Sequence, residues 1–339
     1  MRISPSLVIG TAFACCTGYA AASSPDPVKL FDKALEPPDI AYQGHMTVTH
    51  WYGKYARVEE VRVYFMPPNL YRWEFLAPDG TNVDRIVKSN GDREEIDDMR
   101  RHRKFIGEPV KNYQKLIGEK EERELLLRNY DLTVAMPDSV AGRKCWILEI
   151  IPKESDKHRQ RIWIDQQTGA VLQVRRFRPE GRFTTLSRFV SFEPKKNLPS
   201  DLFVLDTSSG THRVAHGLDP NAVSLQEFKK SYGKSFDPPT ELPAGFVFES
   251  ANNFKVRSKD VWHLRYTDGL ASLSLFLTQS PVSLPKNGQL LEEDAISRVG
   301  PPVMYGFGKV LEWKKHGRHY LLIGDLDKSW LEKIAAKIP

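Results

Sequence analysis

Apolar and polar residues alternate along much of the chain, with the two-residue period of β-strands. In the clearest case Tyr71, Trp73 and Phe75 fall on one face of a strand, and Arg72 and Glu74 fall on the other. Clusters of Pro, Gly, Asn and Asp separate this stretch from similar stretches on both sides. The pattern predicts an antiparallel meander of strands joined by tight turns.

The same pattern extends over both halves of the chain. It predicts strands at 42–51, 57–65, 145–151, 161–165, 170–176 and 183–192, and again at 246–254, 261–267, 271–278, 308–314 and 318–324. Helices are predicted from Pro27 after the capping residue Asp26, across 119–129, across 289–297, and from Asp327 to Ile338. Hydrophobic residues thin out after Leu205, so we expect domains at 23–205 and 240–339 with a linker at 206–239.

A sheet with one aromatic face needs a cover, and two predicted helices are candidates. One is 119–129, which contains three consecutive leucines, and the other is the N-terminal helix. A half-open sheet lined by rings also offers an apolar hollow for an acyl chain, with no reactive group required. We therefore assign Tyr71, Trp73 and Phe75 as the candidate ligand-binding residues, while most other aromatic residues are expected in the core.

The first 22 residues have the pattern of a secretory signal. Arg2 is the only charged residue there, an apolar stretch follows, and small residues lead up to Ala22. We expect export to the periplasm with cleavage near Ala22. Lipidation at Cys15 is the alternative, although the residues before it fit a lipoprotein signal poorly. After cleavage Cys145 is the remaining thiol, so an internal disulfide is not expected.

Composition and motifs argue against several function classes. Charge is mixed along the chain, with a formal net charge of +6, which disfavours a nucleic-acid binder. The sequence contains no P-loop, GxSxG or HExxH motif, and Cys145 stands among apolar residues as an inert core cysteine would. Paired histidines lie at odd spacings in predicted strands and cannot meet at one metal without a β-bulge. We therefore predict no catalytic residue, no metal site and no cofactor.

One charged segment remains open to two interpretations. Asp97 and Asp98 are followed by a basic run that ends at Lys104. It is either a docking loop for a charged partner or a solvated hairpin whose charges pair locally.

Several short motifs together resemble a known family. In the first half they read Ile40-Ala41-Tyr42-Gln43-Gly44, Thr49-His50-Trp51, Asn69-Leu70-Tyr71-Arg72-Trp73-Glu74-Phe75, Arg128-Asn129-Tyr130, Val140-Ala141-Gly142-Arg143, Trp163-Ile164-Asp165, Thr168-Gly169 and Pro179-Glu180-Gly181. In the second half they read Leu242-Pro243-Ala244-Gly245-Phe246, the run from His263 to Phe276, and Gly324-Asp325. Their order and spacing resemble the periplasmic sigma-E regulators RseB and MucB, whose N-terminal domain is similar to the lipoprotein carriers LolA and LolB.

The resemblance implies an α+β fold and a regulatory role. The fold would be a curved antiparallel half-barrel with helices in its concavity, followed by a smaller C-terminal α/β domain. The role would be binding to the periplasmic domain of a membrane anti-sigma factor, with a lipid or acylated ligand as the releasing signal. The 206–239 stretch matches no family motif, and a homo-oligomer is left open.

Two other functions remain as alternatives. A lipoprotein carrier of the LolA type would transfer its cargo between membranes and would not need residues 240–339. A structural envelope protein, lipidated at Cys15, is the second.

Overall fold

The computed structural model describes most of the chain. It covers residues 24–52, 55–100, 102–107, 119–155, 157–179, 181, 183–206, 212–213, 223–232, 236–256, 259–279, 309–324 and 326–339. The predicted leader with Cys15 and Ala22, and the predicted helix at 289–297, lie outside these residues.

Helices and strands follow the predicted positions closely. The helices are α1 (Pro27–Leu35), α2 (Glu119–Asn129), α3 (Leu225–Tyr232) and α4 (Lys328–Ala335). The strands of the first half are β1 (Ala41–Tyr52), β2 (Tyr55–Met66), β3 (Leu70–Leu76), β4 (Val83–Asn90), β5 (Glu94–Asp98), β6 (Arg103–Gly107), β7 (Tyr130–Val140), β8 (Arg143–Pro152), β9 (Arg159–Asp165), β10 (Val171–Phe177), β11 (Phe183–Lys195) and β12 (His212–Arg213). Those of the second half are β13 (Glu241–Leu242), β14 (Phe246–Val256), β15 (Lys259–Thr267), β16 (Ser272–Thr278), β17 (Lys309–Lys315) and β18 (Arg318–Gly324).

In the described residues, the strands of the first half form one long curled sheet. Its order is β12-β6-β5-β4-β3-β2-β1-β11-β10-β9-β8-β7, so each hairpin neighbour in sequence is also a neighbour in space. Pairing is antiparallel except where β12 runs parallel to β6. The predicted curved antiparallel half-barrel is confirmed.

The two helices of the first half cover one face of β7–β9. Asp26 caps α1 by accepting hydrogen bonds from the backbone N–H groups of Val28 and Lys29, as predicted. Leu30 and Phe31 of α1 then pack into one apolar cluster with residues of α2 and the sheet. The other buried members are Leu126, Tyr130, Leu148, Ile150, Ile162 and Ile164. The helices therefore cover these strands and not the aromatic face of β3 that we expected them to cover.

The opposite face of the same strands is also buried. Ile147 and Trp163 alternate with Leu148 and Ile162 along β8 and β9, and they belong to a second cluster together with residues of β1, β2 and β11. The members of that cluster from β1, β2 and β11 are Val48, Val61, Val63, Phe189 and Phe192. Burial on both faces explains why residues 145–148 read as an almost unbroken apolar run.

The second half forms a separate antiparallel sheet in the order β13-β14-β15-β16-β18-β17. Leu331, Ile334 and Ile338 lie on the predicted stripe of the last helical segment and are buried in its core. The smaller second α/β unit is therefore present as predicted. Among the described residues, no helix is long and apolar enough to span a membrane.

An ordered helix lies within the stretch that we expected to be a linker. Phe228 of α3 is fully buried in the core of the second sheet, next to Trp262 and Phe236. Residues 223 and 251 form an additional β-bridge beside it. Single aromatic residues in a polar segment gave too weak a pattern to predict this helix.

Candidate functional site

The predicted aromatic row is present on β3. Tyr71, Trp73 and Phe75 stand on one face because successive strand residues alternate. The tyrosine and tryptophan ring centroids are 5.6 Å apart. Their cross-strand partners on β2 are apolar: Phe65 faces Tyr71, and Val63 faces Trp73. The structure therefore brings the three predicted residues together on an apolar strip.

Exposure differs along the row. The Trp73 side chain belongs to the few large apolar residues that stay exposed, with 40% of its surface accessible. Phe75 is half-buried against the cluster that contains Val61 and Val63. On the other side of Trp73, Val87 and Ile96 are buried. Trp73 is thus exposed on a strip whose neighbouring residues are partly or fully buried.

Sequence reasoning missed a polar partner at one end of the row. The Tyr71 hydroxyl donates a hydrogen bond to Oε2 of Glu94, a buried carboxylate on β5. Burial raises the pKa of Glu94, and the hydrogen bond from Tyr71 partly opposes this shift. Burial, followed by the charge of Glu94, raises the pKa of Tyr71, so its hydroxyl stays protonated and remains a donor. The alternation of β5, with Glu94 on the face of Ile96, was the available signal.

A cation stands at the other end of the row. The Arg85 guanidinium lies 3.8 Å from the centre of the Phe75 ring, within range of a cation–π contact. Arg85 and Asp98 are cross-strand partners on β4 and β5. The strip therefore has a buried carboxylate beside Tyr71 at one end and a guanidinium beside the Phe75 ring at the other.

The reverse face of β3 carries charge, as predicted. Arg72 Nε lies 2.7 Å from Oε1 of Glu74, and the backbone carbonyl of Leu202 accepts a hydrogen bond from the same guanidinium.

In the charged segment that begins at Asp97, Lys104 contacts Asp97 and Asp206. The contact with Asp97 fits the interpretation as a locally paired hairpin, whereas Asp206 lies 102 residues further along the chain.

Cys145 is buried, and His45 contacts a neighbouring strand. The Cys145 side chain is fully buried, and burial raises its pKa to about 11, which suppresses the reactive thiolate. His45 lies 3.5 Å from Glu60 on the neighbouring strand. In the part of the chain that the structure describes, no three potential metal-ligating side chains converge.

A shallow, largely open cleft lies between the two sheets, and none of its lining residues belongs to the aromatic row. Its lining comes from both units and includes several cations. The lining residues are Tyr130, His158, Arg159, Arg176, Leu270 and Ala271.

These features define a class of protein: a curled β half-barrel with an apolar strip, joined to a smaller antiparallel sheet. A family model described as the MucB/RseB N-terminal domain matches residues 101–205. This match agrees with the resemblance that the sequence motifs indicated.

Individual relatives align with much of the chain. The sigma factor AlgU regulatory protein MucB of Pseudomonas aeruginosa is 22% identical over 272 residues, which cover 78% of this chain and 79% of that protein. The uncharacterized protein MJ0687 of Methanocaldococcus jannaschii is 22% identical over 218 residues, and the chain spans 62% of its length.

Solved structures support the fold. The complex of Pseudomonas aeruginosa MucA and MucB matches 92% of this chain and 97% of its own chain, with a TM-score of 0.57 and 15% identity. A crystal structure of MucB in complex with MucA(peri) matches 91% and 97%, with a TM-score of 0.56 and 14% identity.

Proposed function

We propose that the chain is a periplasmic negative regulator of an extracytoplasmic-stress sigma factor. It acts by binding the periplasmic domain of a membrane anti-sigma factor and has no enzymatic activity. The observation that carries this proposal is the alignment with a protein named for sigma factor regulation, which extends over both units of the chain. The similar solved complexes contain a periplasmic MucA segment bound to MucB, and they support the same kind of partner here.

We further propose that a lipid or acylated ligand binds the apolar strip of Tyr71, Trp73 and Phe75. The half-exposed Trp73 ring and its apolar neighbours Val63 and Val87 support this role. A ligand that prefers the partner-free arrangement weakens partner binding by the same factor by which the partner weakens ligand binding. Sensing then needs no reactive residue.

The partner proposal is tested by titrating the purified chain with the periplasmic segment of an anti-sigma factor encoded in the same genome. We expect saturable one-to-one binding by calorimetry. A shuffled segment of equal composition is the control and should not bind. The regulatory function would be refuted if both segments bound equally well or if neither segment bound.

The sensing proposal adds a variant to the same titration. An acylated peptide should weaken the binding of the partner to the wild-type chain. Trp73→Ala should reduce this effect about tenfold, because burying one large ring contributes roughly 1.5–3 kcal/mol. Met136→Ala removes another exposed apolar side chain, on β7 far along the sheet, and should leave the effect unchanged. Equal responses of the two variants would exclude the strip as the ligand site.

Two further measurements separate the alternatives. A carrier would move an acylated protein from inner-membrane to outer-membrane vesicles, whereas a regulator would not. Mass spectrometry of the mature N-terminus distinguishes cleavage near Ala22, which we propose, from a lipid on Cys15.

A further inference from the structure

Three arginines gather on the face of the first sheet that points away from its helices, and we call them the arginine cluster: Arg161, Arg175 and Arg188. Arg161 on β9 alternates with Ile162, which packs in the apolar cluster under α1 and α2. Arg175 on β10 is the direct cross-strand partner of Arg161, so both side chains leave the sheet on one face. Arg188 on β11 pairs with Gln173, two residues from Arg175, and therefore lies on the same face.

Aromatic rings support two of these guanidinium groups. The guanidinium carbon of Arg175 lies 5.1 Å from the centre of the Trp163 ring, and that of Arg161 lies 5.5 Å from the centre of the Phe177 ring. Both rings are buried, whereas Arg188 is exposed. A guanidinium that packs on a ring is held in a fixed orientation, and its planar fork of N–H groups matches carboxylate or phosphate oxygens.

Positive charge dominates within the arginine cluster. Glu149 forms an ion pair with Arg161, and Asp138 attracts Arg175 and Arg188. Burial lowers the pKa of Arg175, and the repulsion from Arg188 lowers it further by more than the attraction to Asp138 raises it. Like charges that face each other across a sheet are unfavourable. An anionic surface against this face would reduce that repulsion.

Exposed valines stand on the strands beside the arginine cluster. Direct cross-strand pairing leads from Arg175 across β11 and β1 to Val58 on β2, and the partners in between are Leu186 and Thr49. Val58 is 59% exposed, and Val190, in the bulge of β11, is 58% exposed. Neighbouring strands lie roughly 4.8 Å apart, so the face from β9 to β2 is about 19 Å wide. It combines cations with apolar groups that remain in water.

We propose that this face is a docking surface for an anionic phospholipid membrane, with the arginine cluster at the lipid phosphates and the valines at the boundary with the acyl region. Cations mixed with exposed apolar side chains are typical of segments that lie at a membrane surface. An acidic peptide would neutralise the arginines but would leave the valines in water. The observations therefore favour a membrane over an acidic protein as the occupant.

The docking surface and the aromatic strip lie on opposite faces of the sheet. Val58 is five residues from Val63, which is the cross-strand partner of Trp73, and an odd spacing places the two valines on opposite faces of β2. A docked chain would keep the strip turned away from the lipid. It would also meet a membrane-anchored partner at a raised effective concentration. The inference itself depends neither on ligand binding at the strip nor on that partner.

The test is sedimentation of the full chain with phospholipid vesicles. One preparation contains about 30% phosphatidylglycerol in phosphatidylcholine, and the other is phosphatidylcholine alone. We expect binding to the anionic vesicles and not to the neutral ones, with loss of binding in about 0.5 M salt, because salt screens exposed charges. Arg188→Gln should weaken binding about fivefold, and Arg175→Gln/Arg188→Gln roughly twentyfold, because each arginine near an anionic surface contributes a similar factor.

Two further variants separate the parts of the proposal. Arg128→Gln is the matched control, because Arg128 is exposed in the last turn of α2 on the other side of the sheet, and it should bind as the wild type does. Val58→Ser removes an apolar contact without changing the charge and should weaken binding roughly threefold. Urea unfolding checks that every variant is folded, and Arg175→Gln should not be less stable, because it removes a contact between like charges.

Each remaining outcome would overturn the proposal. Binding to both kinds of vesicle with equal affinity, or to neither, would exclude an anionic membrane. The arginine cluster would be excluded if Arg188→Gln and the double variant bound as Arg128→Gln does. An unchanged affinity of Val58→Ser would exclude the membrane as the occupant and indicate an acidic protein segment instead.

Discussion

At the scale of single residues, the aromatic row depends on one hydrogen bond. Tyr71 is a ring in an apolar strip, and its hydroxyl also supplies the donor that a buried Glu94 needs. An ionised carboxylate in such a place is costly unless it is hydrogen-bonded. Tyr71, which we assigned as a ligand-binding residue for its ring, thus also stabilises the Glu94 carboxylate two strands away in the sheet.

The pH dependence of this pair can be worked out. Burial raises the pKa of Glu94 in the folded state, so folding favours its protonated form. The cost of the buried charge is fully present above the folded-state pKa and disappears as the pH falls below the unfolded-state value. The Tyr71 hydroxyl offsets part of this cost, chiefly when Glu94 is charged.

We therefore predict that Tyr71→Phe is more destabilising at neutral pH than at acid pH. The loss should be about 1.5–3 kcal/mol near neutrality, typical of a hydrogen bond to a charged group, and about 1 kcal/mol near pH 4. Urea unfolding at both pH values measures it. Glu94→Gln is the control, and in that background Tyr71→Phe should show no such pH dependence. A cost that is independent of pH in the wild-type background would contradict the assignment.

At the scale of elements, α3 shows how one side chain anchors a short helix. Phe228 stacks on Tyr232 with ring centroids 5.1 Å apart and meets Trp262 edge-on at 4.9 Å. Ser224 and Glu227 form a capping box at the helix start through reciprocal hydrogen bonds. A helix of this length is marginal in isolation, so tertiary packing has to hold it in place.

We expect Phe228→Ala to cost about 3–5 kcal/mol, because it removes a fully buried ring and leaves a cavity. Unfolding in urea, followed by tryptophan fluorescence, measures the change. Lys230→Ala on the exposed side of the same helix is the control and should have little effect. If the two substitutions are equally mild, α3 is not part of the second core.

At the scale of the whole molecule, the described contact between the two sheets includes a buried ion pair of Lys157 with Asp268 and several hydrogen bonds. Trp330 of α4 adds one more hydrogen bond to it, from its indole nitrogen to the carbonyl of Ser155. Contacts of this kind between units resemble those of transient complexes more than those of a continuous core.

The ion pair at this contact should show strong coupling between its members. We predict that Lys157→Met alone costs about 3–5 kcal/mol, because it leaves Asp268 charged and buried. The double variant Lys157→Met/Asp268→Asn should lose less stability than the two single variants lose in sum, by more than ~1 kcal/mol. Urea unfolding of the four species measures the cycle.

An exposed pair provides the comparison for this cycle. Lys120 and Glu124 lie 3.9 Å apart on the surface of α2, and Lys120→Met should change stability little. Additive effects at Lys157 and Asp268 would show that their contact does not hold the units together.

The sequence alone determined most of the helices and strands, but it did not predict α3 or the pairing of β1 with β11. Alternation placed Tyr71, Trp73 and Phe75 on one face, and turn residues separated the hairpins, because both are local properties of neighbouring residues. The family resemblance added the half-barrel and the second unit.

Only the tertiary structure decided what covers which face. The helices cover β7–β9, Glu94 meets Tyr71, and Asp268 meets Lys157 across 111 residues of chain. These contacts join residues that are distant in sequence, and a local pattern contains no information about which apolar face another element will occupy. The partners of buried charges follow from the packed arrangement of both sheets, because each buried charge is stable only where the fold supplies its counter-group.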